Sequence, residues 1–286
     1  MRQYKKEENG ILEVGQVLYT KHFRLTVDRE LCKGCELCSL ICPRGAISLT
    51  PSGSADGKAV AACIDIDEKK CDFHGICAAI CPFNAIKITV NGAEGLPTVA
   101  KEAFPLLSRD ISVDSERCRP GCRKCEETCP LGIIKVYETK GGTAVDIRKD
   151  LCAGCRICWM ECPEDAINVS KFIEGRINVH SEKCPDGCRR CADACPLGAL
   201  EFDESGKVRA REMYCIYCGA CLPVCPAEGA LEITRTSVRH TQVDSGAWHR
   251  GLEKITSAEG LARELSAEMT YSARKSADKM AEKSRS

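Results

Sequence analysis

The sequence holds no apolar run approaching the roughly 18 residues that a membrane-spanning helix requires. Its N-terminus, Met1 to Gly10, carries charge with no uncharged apolar stretch behind it, so a secretory signal is not expected. Aromatic residues are scarce, with 6 Phe, 6 Tyr and 2 Trp among 286 residues, too few for one large organic core. No charge of either sign dominates, since 41 Lys and Arg balance 41 Asp and Glu. That balance removes any strong case for nucleic acid or an anionic membrane surface as partner. No G-x-G-x-x-G follows a strand-like run, and no P-loop or G-x-S-x-G occurs, so the common nucleotide and hydrolase signatures are missing. His22, His180, His240 and His249 form no metal or triad spacing. The expectation is a soluble, cytoplasmic chain of several small units with little room for a substrate pocket.

What the sequence has instead is sulfur, with 24 cysteines. In a reducing cytoplasm, thiols at this density are metal ligands before they are disulfides. Cys32, Cys35, Cys38 and Cys42 read C-x2-C-x2-C-x3-C followed by proline, and the same run recurs at Cys152, Cys155, Cys158, Cys162 and at Cys215, Cys218, Cys221, Cys225. Cys118, Cys122, Cys125, Cys129 and Cys184, Cys188, Cys191, Cys195 carry one extra residue in the first gap, within Arg-Pro-Gly or Pro-Asp-Gly. Such turn chemistry absorbs an insertion without moving the ligands. The remaining copy reads Cys71, His74, Cys77, Cys81, with histidine at the second position. These six copies leave Cys63 alone outside the pattern.

The flanks repeat as well. Alternating runs such as Arg24–Val27, Cys63–Ile66, Ile111–Val113, Ala144–Ile147 and Arg176–Val179 precede the motifs. Ala46–Leu49, Ala85–Ile88, Ile133–Val136, Ala166–Val169 and Ala199–Phe202 follow them. Each reads as a short strand with one buried face. The unit is strand, ligand loop, short helix ending near the Cys-Pro, then strand, an α+β pattern. Cys118 to Cys184 is 66 positions and Cys152 to Cys215 is 63, which marks a duplicated two-motif block. Motifs are therefore paired one with two, three with four and five with six, a nested pairing being the alternative. The expected architecture is three tandem bacterial-type 2[4Fe-4S] ferredoxin-like domains, at 1–108 (with an N-terminal extension), 109–173 and 174–236, and a helical tail at 237–286. The linker is expected within 92–108.

Structural zinc sites usually present two close pairs of ligands separated by a long stretch. Here three thiols fall within seven or eight residues and the fourth follows at plus four, with proline next. That is the bacterial ferredoxin signature, in which the fourth cysteine ligates the partner motif's cluster. Six [4Fe-4S] clusters are expected, with a structural zinc protein as the alternative from another class. The crossing rule groups Cys32, Cys35, Cys38 with Cys81; Cys71, His74, Cys77 with Cys42; and Cys118, Cys122, Cys125 with Cys162. It also groups Cys152, Cys155, Cys158 with Cys129; Cys184, Cys188, Cys191 with Cys225; and Cys215, Cys218, Cys221 with Cys195. The site at His74 is open between ligation by its imidazole, which would raise the potential, a three-iron cluster, Cys63 as substitute ligand, and no cluster at all. Each four-thiolate cluster adds roughly two negative charges with its ligands. Arg117, Arg119, Arg123, Lys124, Arg189 and Arg190 lie beside ligands and either offset that charge or form a solvated face.

The tandem motifs make the chain similar to a polyferredoxin. Ile64–Cys71 with Cys81-Pro-Phe-Asn-Ala-Ile-Lys-Ile88, and Arg239–Trp248 with its Ser-Gly-Ala-Trp, resemble the polyferredoxin subunit of archaeal tungsten- or molybdenum-dependent formylmethanofuran dehydrogenase. That resemblance implies a non-catalytic wire feeding or draining an enzyme that reduces CO2 onto methanofuran. It implies as partners the other subunits, a small ferredoxin subunit or a second copy, and an external ferredoxin, hydrogenase or heterodisulfide reductase. It also implies relatives with more motifs and a cysteine where His74 stands. A wire for a hydrogenase or heterodisulfide reductase is the second reading. In the tail, Thr256-x-x-Glu259 fits a capping box. Leu261, Leu265, Met269, Ala273, Ala277 and Met280 then follow near-helical spacing, as in an amphipathic helix.

Overall fold

Each alternating run beside a cysteine loop becomes a strand, because apolar residues at every second position bury one face. In Cys63–Ile66, Ile64 and Ile66 are fully buried, while Asp65 faces outward and pairs with Lys5 at 2.6 Å. The computed structural model describes residues 2–50, 54–55, 58–59, 62–95, 104–139 and 142–257. Within them the architecture is α+β: short antiparallel strands and one-turn helices in three repeats.

In every repeat the strand before the first loop pairs with the strand after the second. His22–Asp28 pairs with Ile86–Val90, Ile111–Val113 with Ile167–Val169, and Ile173–Val179 with Leu231–Val238. The two strands between the loops form an inner hairpin: Ile47–Thr50 with Cys63–Ile66, Ile134–Thr139 with Gly142–Ile147, and Leu200–Phe202 with Val208–Ala210. These closures tie consecutive motifs together two by two. The last outer strand runs to Val238, two residues past the point where the sequence pattern ended the third unit.

Five loops lead into helices of four or five residues that carry the third cysteine: Leu37–Ile41, Ile76–Ile80, Lys124–Thr128, Ile157–Met160 and Arg190–Ala194. The sixth copy departs from the expected unit, with turns at 220–224 instead of a helix. Pro223 accounts for it, since it lacks the N–H that would bond the Gly219 carbonyl one turn back.

Two strands before the first motif went unrecognised in the sequence. Arg2–Glu8 and Ile11–Val17 form a hairpin around Asn9-Gly10, both at positive φ (50° and 74°), as a primed turn demands. They extend the first repeat to a five-stranded sheet that ends at Ala93–Glu94. The segment expected as a linker is packed at both described ends, with Ala93–Glu94 in the sheet and Phe104 and Leu107 buried. Residues 106–108 then run against 239–241 through an isolated bridge between Leu107 and His240. The chain after the third repeat turns back there into a helix, Gly246–Thr256, capped by the Ser245 hydroxyl, which accepts from the Trp248 N–H. That helix lies on the first repeat's helices, with Trp248 wholly buried. Thr256 is its last residue and its hydroxyl donates to the Leu252 carbonyl, so it does not start a helix; the remainder of the expected tail helix lies outside the described residues. Among the described residues, no helix is long and apolar enough to cross a membrane.

Candidate metal centres

The four short ligand loops share one backbone device. The residues immediately before and after the second ligand both take positive φ: Gly34 and Glu36, Phe73 and Gly75, Gly154 and Arg156, Tyr217 and Gly219. Two left-handed residues around one ligand curl the loop so that backbone N–H groups point toward the donor atoms. The Leu37, Ile157 and Ala220 N–H groups accordingly bond the second-ligand sulfurs of Cys35, Cys155 and Cys218. At Gly34 a Cβ would overlap the Ala62 carbonyl, so glycine is required there by space as well as by φ. Phe73 and Tyr217 bear the left-handed strain with side chains, roughly 1–2 kcal/mol each. Burial of their rings, both under a tenth exposed, offsets it. In the two longer loops Gly121 and Gly187 are left-handed, but Arg123 and Arg189 are not, and the extra residue sits in an exposed turn.

The fourth cysteines are held by a second turn. Proline at the next position gives up its N–H, and Asn84, Asp165 and Gly198 at the third take positive φ. The following N–H then reaches back to sulfur: Ala85 to Cys81 at 3.4 Å, Ala166 to Cys162 and Ala199 to Cys195, both at 3.3 Å.

These loops bring together the groups that the crossing rule named, except that the Cys32 thiol turns to Cys63 instead of its own group. Cys42 joins Cys71, His74 and Cys77 around one small cavity, Cys129 joins Cys152, Cys155 and Cys158 around a second, and Cys195 joins Cys215, Cys218 and Cys221 around a third. Cys81 acts on Cys35 and Cys38, Cys162 on Cys118 and Cys125, and Cys225 on Cys184 and Cys191, each adding to the upward shift that burial imposes. Burial, reinforced by neighbouring thiols, pushes Cys155 up to about 11 and Cys158 up to about 12. Cys218 and Cys221 are raised for the same reasons. Four thiolates in so dry a pocket need a cationic core to coexist. Among the described residues, no three such side chains converge on a point fit for one ion. Donors spread around a volume fit a polynuclear cluster better than zinc.

Within each repeat the two groups come near each other at their third cysteines: Cys38 with Cys77, Cys158 with Cys125, Cys221 with Cys191. Between repeats, Cys35 lies near Cys218, and the Arg109 guanidinium donates to the carbonyls of both Cys81 and Cys152.

His74 lines its cavity half-buried, and its Nδ1 accepts from the Ile76 N–H at 3.1 Å. That is the bond the second-ligand sulfur accepts in the other short loops. Nε2 lies 3.4 Å from Asp72, and the ring edge meets Phe104, which leads to Trp248. Burial holds the imidazole below its ordinary pKa, with Asp72 opposing. Cys63 is elsewhere. It hydrogen-bonds Cys32 beside Arg29 and does not line the His74 cavity, so it is not placed as that site's substitute ligand. The six expected basic residues are exposed. Four of them are engaged: Arg117 with the Asp165 carbonyl, Arg119 with Glu164, Arg123 with Glu126 at 2.6 Å and Arg189 with Asp193 at 3.8 Å. They form a solvated face. The cations that do sit among the ligands, Arg109, Lys171 and Arg235, were missed. For Arg235 the one signal was a cation at an inward position of the run Leu231, Ile233, Arg235.

Such loops on such strands define a class, and the chain belongs to it: the 4Fe-4S dicluster domain family matches residues 31–85, 117–166 and 183–229, more than half the chain. The protein carries iron–sulfur clusters of the [4Fe-4S] type, whose chemistry is electron transfer. It is similar to a chain of the formate dehydrogenase–heterodisulfide reductase–formylmethanofuran dehydrogenase complex from Methanospirillum hungatei. The identity is 30% over 89% of this chain and 91% of that chain, with a TM-score of 0.79. No curated protein matches.

Proposed function

We propose that this chain is a polyferredoxin subunit that relays electrons for a formylmethanofuran dehydrogenase and has no catalytic residue of its own. The observation that carries this reading is the end-to-end similarity to a chain of an assembly containing that enzyme. Six clusters would be held by the crossed groups described above, with the His74 imidazole at the second-ligand position of its group, an iron bond there replacing the hydrogen bond that Nδ1 accepts from the Ile76 N–H. A [4Fe-4S] cluster held by each group would supply one-electron chemistry there. The protein sets their spacing, dryness and charge.

The contacts between groups suggest an order. From the half-buried site at Cys118, Cys122, Cys125 and Cys162 the line passes to that at Cys152, then across Arg109 to that at Cys32. It continues past Arg235 to the site at Cys215 and ends at the half-buried site at Cys184. The His74 site joins this line through Cys77, which lies near Cys38 and Cys81, as a side arm. A histidine there would leave the line through the first repeat intact.

The same assembly contains a heterodisulfide reductase, so service to that enzyme is the second reading. Anaerobic purification on a tag carried by this chain separates the two. Co-elution of formylmethanofuran oxidation activity is expected. Heterodisulfide reductase activity eluting without it would move the wire to that partner.

A further inference from the structure

Burying a cation without an anion beside it is expensive, yet Arg235 is only 7% exposed. Its Nε donates to the Tyr217 carbonyl at 2.7 Å and its Nη2 to the Cys218 carbonyl at 2.9 Å. Among the described residues no carboxylate stands within ion-pair distance of it. The groups whose negative charge would act on it are first Cys218 and Cys35, from two different repeats, then Glu36 and Cys221. A Cβ on Gly219 would come 2.7 Å from its Nη2, so the loop leaves room for the guanidinium against the ligand backbone.

Arg109 repeats the arrangement at the other seam. It donates to the Pro82, Cys81 and Cys152 carbonyls, stacks 5.0 Å from the Phe172 ring, and makes no ion pair among the described residues. The two seams of the first repeat, with the second and with the third, thus each hold one guanidinium, tied to ligand backbone and lacking a carboxylate partner of its own.

We propose that Arg235 and Arg109 are positioning residues for electron transfer between repeats, their counter-anions being the clusters on either side. This rests on the ligand groups assigned above. A fixed cation between two sites stabilises the extra electron on either one. It also weakens the repulsion between electrons held on both, and burial keeps this effect from being screened by salt. A purely structural clamp would hold the loops together without moving any potential.

The test is a redox titration of the anaerobically purified full-length chain, followed by electron paramagnetic resonance. Arg235→Met should move two of the midpoint potentials, those of the clusters at Cys32 and Cys215, to more negative values. The sites at Cys118 and Cys184 should stay in place, and the shift should persist at high ionic strength. Arg235→Lys keeps the charge and should stay near the parent protein. Arg109→Met should move the clusters at Cys32 and Cys152 instead. Unchanged potentials in fully iron-loaded Met variants would overturn the proposal while leaving the ligand groups standing. A parent chain that lacks the six cluster signals would defeat the ligand reading itself. If Arg235→Met loses iron, Arg235→Lys decides: a stability loss without a shift from parent potentials supports charge compensation, and a shift as large as Met at the second seam refutes it.

Discussion

The helix Gly246–Thr256 has 11 residues, fewer than an isolated helix needs to persist in water. Its stability therefore comes from what it buries, chiefly Trp248 and Ile255, with Gly251 close against Ile41. Trp248 also donates from Nε1 to His240 Nε2 at 3.1 Å and meets Phe104, whose other side touches His74. Replacing Trp248 by alanine removes that anchor and strands the histidine nitrogen. A buried tryptophan truncated to alanine costs roughly 3–5 kcal/mol, and each 1.4 kcal/mol is about tenfold in an equilibrium. Hydrogen exchange across residues 246–256 of the iron-loaded chain should therefore accelerate by roughly two to four orders of magnitude. The second repeat should exchange as before, because its contacts do not pass through this helix. Acceleration below about tenfold, which corresponds to about 1.4 kcal/mol, would refute the view that Trp248 fastens the tail to the first repeat.

Other outcomes are expected. His74→Cys should move one cluster potential to a more negative value, because thiolate replaces a neutral ligand; unchanged potential and cluster type would show that His74 does not ligate. Cys63→Ala should leave the iron content unaltered, as measured by elemental analysis, since Cys63 lies outside the crossed groups. Gly34→Ala should cost roughly 2–5 kcal/mol, combining left-handed strain with overlap at Ala62. Gly121→Ala, at similar φ but with no neighbour within 4 Å, should cost only the strain; equal iron loss from both variants would refute the steric argument. Under an iron chelator, the half-buried sites at Cys118 and Cys184 should bleach before the buried site at Cys35 and Cys38, which staged spectra would reveal.

The ligand chemistry was legible in the sequence because each loop is local. Three donors within eight residues and a proline after the fourth fix the loop's shape almost without help from the rest of the chain. Period-two alternation similarly announced strands such as Cys63–Ile66, since burial of one face leaves a regular trace. Asn9-Gly10 between alternating runs carried the signal for the N-terminal hairpin and was passed over amid the louder cysteine repeat. Pro223 likewise foretold that the sixth copy would lack a helix.

Contacts between repeats left no such trace. That Cys63 rests against Cys32 and not near His74 follows from the register of Ile47–Thr50 with Cys63–Ile66, a pairing decided across a hairpin. That Arg109 spans Cys81 and Cys152, and that Arg235 reaches Cys218 near Cys35, depends on how three independently closed units pack. A cation's worth at such a seam comes from charges distant in sequence, so only the tertiary arrangement could assign it. The sequence by itself determined what each loop can bind. The packing of the repeats decided which site neighbours which, because electrostatics and electron transfer act through space and not along the chain.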